Sequence, residues 1–372
     1  MSGDREAPIS PAGAGGKTRG RALLGAYVLG YTISWNLTNV GAAADQVADH
    51  FDVPLASVGL FTTFLFLSQL FVQIPGGRLV DRYGARSVSL GCLGLIIAAN
   101  LLSLLPIGFW AALGLRLVSG AGLGVAFVAG SVYVRAAGGR SLAQGLYGGI
   151  TLAGGGVAVA AVAAMADATG WRTPFILATA MAVLGAGFVS VSPAVAPASR
   201  LAPPSIRHVL TDRRVLWFGI PHAATFGSSI LLGNWIVPLL TRHGGYNPGT
   251  AGLVGGLVLV GGIIGRPLGG ILADRQRGRI RAITATSMIF GALGTGAVVV
   301  AQPLGLATAG ALLIGISAGV PFGPIFNAVA HLRSDAPAAS LAVMNAPALI
   351  LLILGTPLLG LTFDLPSAGT IG

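Results

Sequence analysis

The sequence predicts an all-α membrane protein built as two helical bundles, and three observations carry that prediction. Apolar runs of about 20 residues, the length that crosses a bilayer as helix, recur from Ala22 almost to the end of the 372-residue chain. Charged residues make up 9% of the chain, against roughly 25% in soluble domains, and the mean hydropathy is +0.82. The stretch Gly77-Arg78-Leu79-Val80-Asp81-Arg82-Tyr83-Gly84-Ala85-Arg86 returns as Gly270-Ile271-Leu272-Ala273-Asp274-Arg275-Gln276-Arg277-Gly278-Arg279, its aspartates 274 − 81 = 193 positions apart. A soluble fold fails on the first two observations. A β-barrel fails because its strands would alternate apolar and polar residues in shorter segments.

Taken in chain order, residues 1–21 are polar and rich in Gly and Pro, a cytoplasmic tail and not a cleavable signal. Helical spans are expected at 22–44, 55–77, 87–105, 108–132, 143–166, 173–192, 215–240, 249–272, 282–301, 304–330 and 339–361. The first six form an N-terminal bundle over 22–192 and the last five a C-terminal bundle over 215–372. A cytoplasmic central loop, 193–214, joins them, and a short interfacial helix is expected to start within 206–217. That makes eleven spans, and Thr362 onward reads as the external loop before a missing twelfth.

Charge sorts the loops. Arg5, Lys17, Arg19, Arg21, Arg78, Arg82, Arg86, Arg135, Arg140, Arg200, Arg207, Arg213, Arg214, Arg275, Arg277, Arg279, Arg281 and Arg333 fall on one side. The other side holds Arg172 and Arg242, with Asp45, Asp49, Asp52, Asp167 and Asp364. The positive-inside rule makes the first side, and the N-terminus, cytoplasmic. The net charge of +11 therefore reports orientation in a plasma membrane and not a nucleic-acid partner. Cys92 stands alone, so neither a disulfide framework nor a metal set is expected.

The halves repeat more than their charged stretch. Ser141-Leu142-Ala143 opens span five and Ser340-Leu341-Ala342 opens span eleven. Spans four and ten share Ser119-Gly120-Ala121-Gly122 and Ser317-Ala318-Gly319. Internal repeats of this kind build secondary transporters, with a site near the bilayer midplane.

On these motifs the chain resembles the major facilitator superfamily. That family's loop between helices two and three reads G-x-L-x-D-R-x-G-R/K, matched over Gly77–Arg86 apart from Ala85 before the final Arg86. Its helix-four element appears as Arg116-Leu117-Val118-Ser119-Gly120, and Gly170-Trp171-Arg172 before helix six is also similar. The resemblance implies two six-helix bundles and transport by alternating access. The nitrate/nitrite porter branch is similar around Arg266, but its paired helix-two arginine is here Gln73, and Gly154-Gly155-Gly156 lacks that branch's Asn.

Two sets of residues are candidates for function. Gly77, Asp81, Arg82, Gly84 and Arg86, with Gly270, Asp274 and Arg275, form the expected gate. The glycines let helix ends approach closely. The carboxylates face the positive ends of helix dipoles, Asp81 near Ser340 and Asp274 near Ser141. The second set is the expected substrate site: Arg266, Gln73, Trp35, Tyr31, Asn39, Arg116, Asn234 and Asn327. Arg116 and Arg266 are the charges well inside spans, where ionisable groups mark function, and no Asp or Glu accompanies them. Tyr27, Tyr31, Trp35 and Asn39, spaced by four, share one helical face, and the 193-residue offset pairs Gln73 with Arg266. His222 reads as structural, and Asn345 as an amide bridging helices.

The expected function is a secondary permease for a small solute, a small or organic anion being the preferred class because Arg binds planar oxyanions bidentately. Its partners are that small molecule, a coupling ion (a proton or another) and the lipid bilayer. The protein acts as a monomer, with no nucleic acid, cofactor or metal. A polyspecific drug or metabolite exporter and a non-transporting receptor on the same fold are the alternatives. No Walker-type motif and no clustered catalytic constellation points to an enzyme.

Overall fold

The computed structural model describes residues 16–137, 141–194, 211–275, 279–332, 337–367 and 369–372, and all their side chains but those of Ile74, Ser141, Asp274, Ala330 and 337–339. The helices are α1 (Gly16–Ile33), α2 (Ala44–Phe51), α3 (Leu55–Tyr83), α4 (Ala85–Leu102), α5 (Phe109–Ala136), α6 (Ser141–Thr169) and α7 (Thr173–Ser190) in the first half. The second half has α8 (Arg213–His222), α9 (Ser228–Arg242), α10 (Pro248–Val260), α11 (Gly262–Arg275), α12 (Ile280–Val300), α13 (Leu304–Gly319), α14 (Phe322–Leu332) and α15 (Pro337–Leu361). Among the described residues nine segments are long and apolar enough to cross a membrane, and Leu142–Ser190 holds both α6 and α7; counted with α1 they match the eleven expected spans, α8–α9, α10–α11 and α13–α14 each forming one interrupted span. The 195–210 stretch of the expected central loop lies outside the described residues.

Each departure from the expected spans has a local cause. Span one does not run as a single helix to residue 44. It stops at Ile33 and continues through 3-10 turns at Ser34–Asn36 and Gly41–Ala43. Ser34, Asn36, Thr38 and Asn39 compete with the helix for backbone groups, and the Ser34 hydroxyl donates to the Tyr31 carbonyl at 2.8 Å. Span seven contains a π-turn at Ala223–Gly227 just after Pro221, a defect common at functional sites. Span eight breaks at Gly261 and span ten at Val320-Pro321. The charged stretch after Gly77 is not a loop: α3 continues to Tyr83, and Gly84, at φ +81°, alone separates it from α4. Only glycine takes that conformation without strain.

Helix packing is set by glycines, because lipid offers no hydrophobic drive between helices and backbones must approach closely. Within each half, α3 packs on α5, and α10 and α11 pack on α13. A Cβ at Gly120 would lie 2.2 Å from the Leu65 carbonyl oxygen, and one at Gly315 would lie 2.7 Å from that of Val258. Since 258 − 65 = 193 and 315 − 120 = 195, Gly120 corresponds to Gly315. Between halves, α15 packs on α3, and α6 packs on both α10 and α11. There a Cβ at Gly156 would stand 2.3 Å from the Gly256 carbonyl oxygen, and one at Gly149 would be 3.0 Å from that of Gly262.

The end of the molecule carrying Asp45 is sealed. Thr62 Oγ1 of α3 donates to Asn234 Oδ1 of α9 at 2.8 Å, and Thr63 Oγ1 donates to the Ile353 carbonyl at 2.7 Å. Arg242 forms an ion pair with Asp45 across the halves, and a Cβ at Gly41 would overlap the Asn234 carbonyl. Nearby His50 stacks on Trp171 at 3.8 Å between centroids. Partial burial, with the Arg172 charge second, holds His50 below the ordinary imidazole value.

The repeated Gly77 and Gly270 do not mediate close approach, since nothing lies within 4 Å of a Cβ at either position. Their predecessors do: a Cβ would meet a Val125 methyl at 2.7 Å from Gly76 and the Val320 carbonyl oxygen at 1.9 Å from Gly269. Backbone cannot yield as a side chain can. Gly269→Ala is therefore expected to cost about 1–3 kcal/mol of stability. Gly270→Ala is expected to leave the unfolding temperature unchanged or slightly raised, because alanine is the better helix former by about 0.5–1 kcal/mol. Thermal unfolding of the two variants in detergent checks the contrast.

Candidate functional site

The two intramembrane arginines sit in opposite kinds of surroundings. Arg116 is 1% exposed on α5. Its Nη2 donates to the Asn36 carbonyl at 2.6 Å, and its Nε donates weakly to the Phe61 carbonyl at 3.5 Å. Asn36 Oδ1 in turn accepts from Asn100 Nδ2 at 3.0 Å. Non-helical backbone at membrane depth persists only where its polar groups find partners. Arg116 is such a partner for the broken first span, with its Nη1 buried and unpaired.

Arg266 is 4% exposed on α11, donates no hydrogen bond to the described residues, and leaves Nη1 buried without a partner. Its guanidinium carbon stands 3.7 Å above the Phe322 ring centroid and 5.9 Å from that of Phe226. From α6, Gly148 makes room for it: a Cβ there would fall 1.9 Å from Arg266 Nη1. Tyr147, next to Gly148, turns its hydroxyl away to the Phe127 carbonyl at 2.9 Å. His222 closes the far side, its ring parallel to Phe226 at 5.1 Å and 5.5 Å from Phe326. Its Nε2 lies 3.0 Å from Asn345 Oδ1. Phe322 and Phe326 stack at 4.0 Å. The result is an aromatic cage around one cation at the contact between halves.

Magnitudes decide what this cage is for. Taking a cation out of water costs several kcal/mol even after relaxation, whereas a cation–π contact returns about 0.5–2 kcal/mol. The ion pair among the described residues is Asp45–Arg242, at the sealed end. Arg266 therefore carries a charge that its aromatic neighbours only partly stabilise, with a free donor, in a setting where an anion would supply the difference.

Among the described residues, no hydrogen bond or ring contact joins the other expected site residues to Arg266. Gln73 is half-buried on α3 and makes no hydrogen bond to Arg266. One turn earlier, Gln69 is the glutamine with a buried, unpaired Nε2. Tyr31 packs edge-on against Trp35 at 6.3 Å, and Trp35 is wedged among Ala158 and Ala178 of the first half. The helix break ends the expected face before Asn39, whose Nδ2 donates to the Pro174 carbonyl at 2.9 Å. Asn234 belongs to the seal, and Asn327 is exposed on α14.

Of the expected gate, Asp81 and Arg82 are exposed in the last turn of α3, and the Asp81 charge acts on Arg135 of α5. Arg86 Nη2 donates to the Ser190 carbonyl. Arg275 is exposed at the end of α11, and the side chains of Asp274 and Ser141 lie outside the described ones. The cage residues that sequence reasoning passed over are Tyr147, Phe226, Phe322 and Phe326, with His222 and Asn345 read as structural. The available signals were Phe322 and Phe326 one turn apart after Pro321, and His222 beside Pro221.

Interrupted helices in two pseudo-repeated bundles, closed over a polar group at the contact between them, define a membrane permease. Residues 24–361 match the Major Facilitator Superfamily, and the chain belongs to that family. It is 25% identical over 306 residues to the nitrite extrusion protein of Bacillus subtilis (strain 168), covering 78% of this chain and 74% of that one. Identity to a probable sulfoacetate transporter, SauU, of Cupriavidus necator is also 25% over 306 residues, covering 75% and 71%. The crystal structure of a point mutant of the nucleoside transporter NupG superposes with a TM-score of 0.72 at 12% identity, covering 95% of this chain and 94% of that one, a likeness of fold.

The arginines should respond oppositely to the same substitution. Arg116→Met removes charged hydrogen bonds to carbonyls, worth about 1.5–3 kcal/mol each, and should lower the unfolding temperature. Arg266→Met removes a cation stabilised only by rings and should leave it unchanged or raise it. Thermal unfolding in chloride-free, low-salt detergent buffer reads both.

Proposed function

We propose that this chain is a secondary permease for a small oxyanion, a carboxylate, sulfonate or inorganic oxyanion, with Arg266 as its anion ligand. The observation that carries this reading is the buried Arg266 guanidinium with Nη1 unpaired and no carboxylate beside it among the described residues. Guanidinium binds planar oxyanions bidentately, and the surrounding rings exclude water from that contact. The names of the two relatives, one a nitrite extruder and one a probable sulfoacetate transporter, support the substrate class.

The reading places the protein in the plasma membrane with its N-terminus and Asp81 end cytoplasmic, by the charge of the loops. Both bundles that enclose the site come from one chain, so it works as a monomer. Transport proceeds by alternating access: the bonds Thr62–Asn234, Thr63–Ile353 and Asp45–Arg242 hold the outer end shut and break when the halves rock. The repeated aspartates Asp81 and Asp274 act as the opposing, cytoplasmic latches, with Asp81 exposed in the present state. The reaction is translocation and involves no covalent chemistry.

Proteoliposomes carrying the full chain should exchange nitrite or sulfoacetate across the membrane. Arg266→Ala should weaken anion binding about 100-fold, and Arg266→Lys should not restore it, since losing a buried charged partner costs about 2–5 kcal/mol. Gly148→Ala should weaken binding as well, by displacing the guanidinium. Uptake or binding that is the same in wild type and Arg266→Ala would overturn the assignment.

A further inference from the structure

Every Asp and Glu of the chain lies at or beyond the ends of the eleven spans, so a carboxylate cannot carry a proton across the middle of this membrane protein. The cage nevertheless holds one side chain whose ordinary titration lies near neutral pH. His222 is 2% exposed, and it shares two rings with Arg266: its ring lies 5.1 Å from Phe226 and 6.3 Å from Phe322, and the guanidinium lies 5.9 Å and 3.7 Å from the same two. Resting on the anion-permease reading, we propose that His222 is the proton site of this transporter, taking up one proton as the anion binds to Arg266.

The chemistry follows from the hydrogen bond. The amide oxygen of Asn345 accepts, so Nε2 of neutral His222 carries the hydrogen. Nδ1 then holds the free lone pair, and it takes a proton from the bulk solution, where the buffer acid supplies it, to give imidazolium. With the cage empty of anion, the loss of water around the buried ring and then the Arg266 charge oppose a second cation there. An anion on Arg266 removes the second of these and supplies a counter-charge. By linkage, each ligand must strengthen binding of the other by the same factor. A monovalent anion and one proton then cross together as a neutral pair.

Among the described residues, no other titratable group competes from the elements packed around His222. The α15 sequence, 337–361, contains no ionisable residue at all and presents Asn345. On α14 the ionisable residue is His331, exposed in the last turn. The π-turn at 223–227 has none, and on α8 itself Arg213 and Arg214 lie at the opposite end of the helix. Arg266 of α11 is the charged neighbour, with Tyr147 of α6 behind it.

Calorimetric titration of the purified full chain with nitrite, and separately with sulfoacetate, tests the proposal between pH 5.5 and 8. Repeating it in buffers of different ionisation enthalpy counts the protons taken up. Wild type is expected to bind about one proton per anion, with affinity rising up to about tenfold per unit fall in pH. In His222→Gln the proton count should fall to zero and the pH profile should flatten, whatever the remaining affinity. His222→Asn provides a second variant should the first unfold. Equal proton uptake in wild type and both variants, or anion binding by wild type without proton uptake, would overturn the proton site while leaving the anion reading intact. If neither probe binds wild type, the anion reading falls, and this inference with it.

Discussion

A guanidinium buried in a membrane protein must be stabilised by something, and the architecture of this chain turns on how its two buried arginines meet that requirement. Arg116 meets it with backbone. The break in span one at Ser34 frees carbonyls that lipid could not solvate, and Arg116 takes the Asn36 carbonyl while Asn100 holds the Asn36 side chain. Charge and broken helix stabilise each other within the first half. Arg266 has no such backbone answer. Phe322 and Phe226 offer ring faces, and the remaining deficit of several kcal/mol is available to a ligand.

The glycine contacts make that arrangement possible. Gly148, Gly149 and Gly156 bring α6 against α10 and α11 with so little between them that a methyl group at Gly148 would occupy the place of the guanidinium. The candidate site is therefore built from side chains of the second half and closed by α6 of the first. Rocking the halves would necessarily change the surroundings of Arg266. The sealed end, with Thr62, Asn234, Asp45 and Arg242, uses hydrogen bonds that can break and re-form at modest cost in water, while the glycine seam supplies a surface to rock upon.

Much of the fold was legible because its causes are local. Span length, the loop charges and the 193-residue repeat each follow from composition along the chain, and Arg266 was visible because a cation in an apolar run is rare. The helix breaks were harder. Gly261 lies inside a run as apolar as its neighbours, and its contact with Gly315 shows why no side chain is tolerated there, whereas Pro321 was a local signal, since proline breaks the helix ladder. The site was read from the repeat, which placed Gln73 opposite Arg266. Its actual neighbours come from α6, α8, α14 and α15, elements far apart in sequence. His222 read as structural because a histidine's depth along a helix does not reveal which ring or charge it will face. Gly77 and Gly270 were conspicuous as motif glycines, but steric need fell on Gly76 and Gly269, one residue away and on a different helical face.

The repeat also explains why the site is one-sided. Transferring Arg116 by the 195-residue offset that matches Gly120 to Gly315 lands on Ala311, which is buried in α13. Transferring Arg266 by 193 lands on Gln73, which is neutral. Each half thus keeps a single cation within its spans, Arg116 bonded to backbone and Arg266 faced by rings. A symmetric pair of arginines at the central contact would repel each other until an anion arrived. With one arginine replaced by an amide, the empty site carries a single charge, and the second positive charge can be supplied reversibly by a group such as His222. On the proposed anion and proton sites, the broken symmetry of the duplicated fold is what lets the charge of the site change with its load.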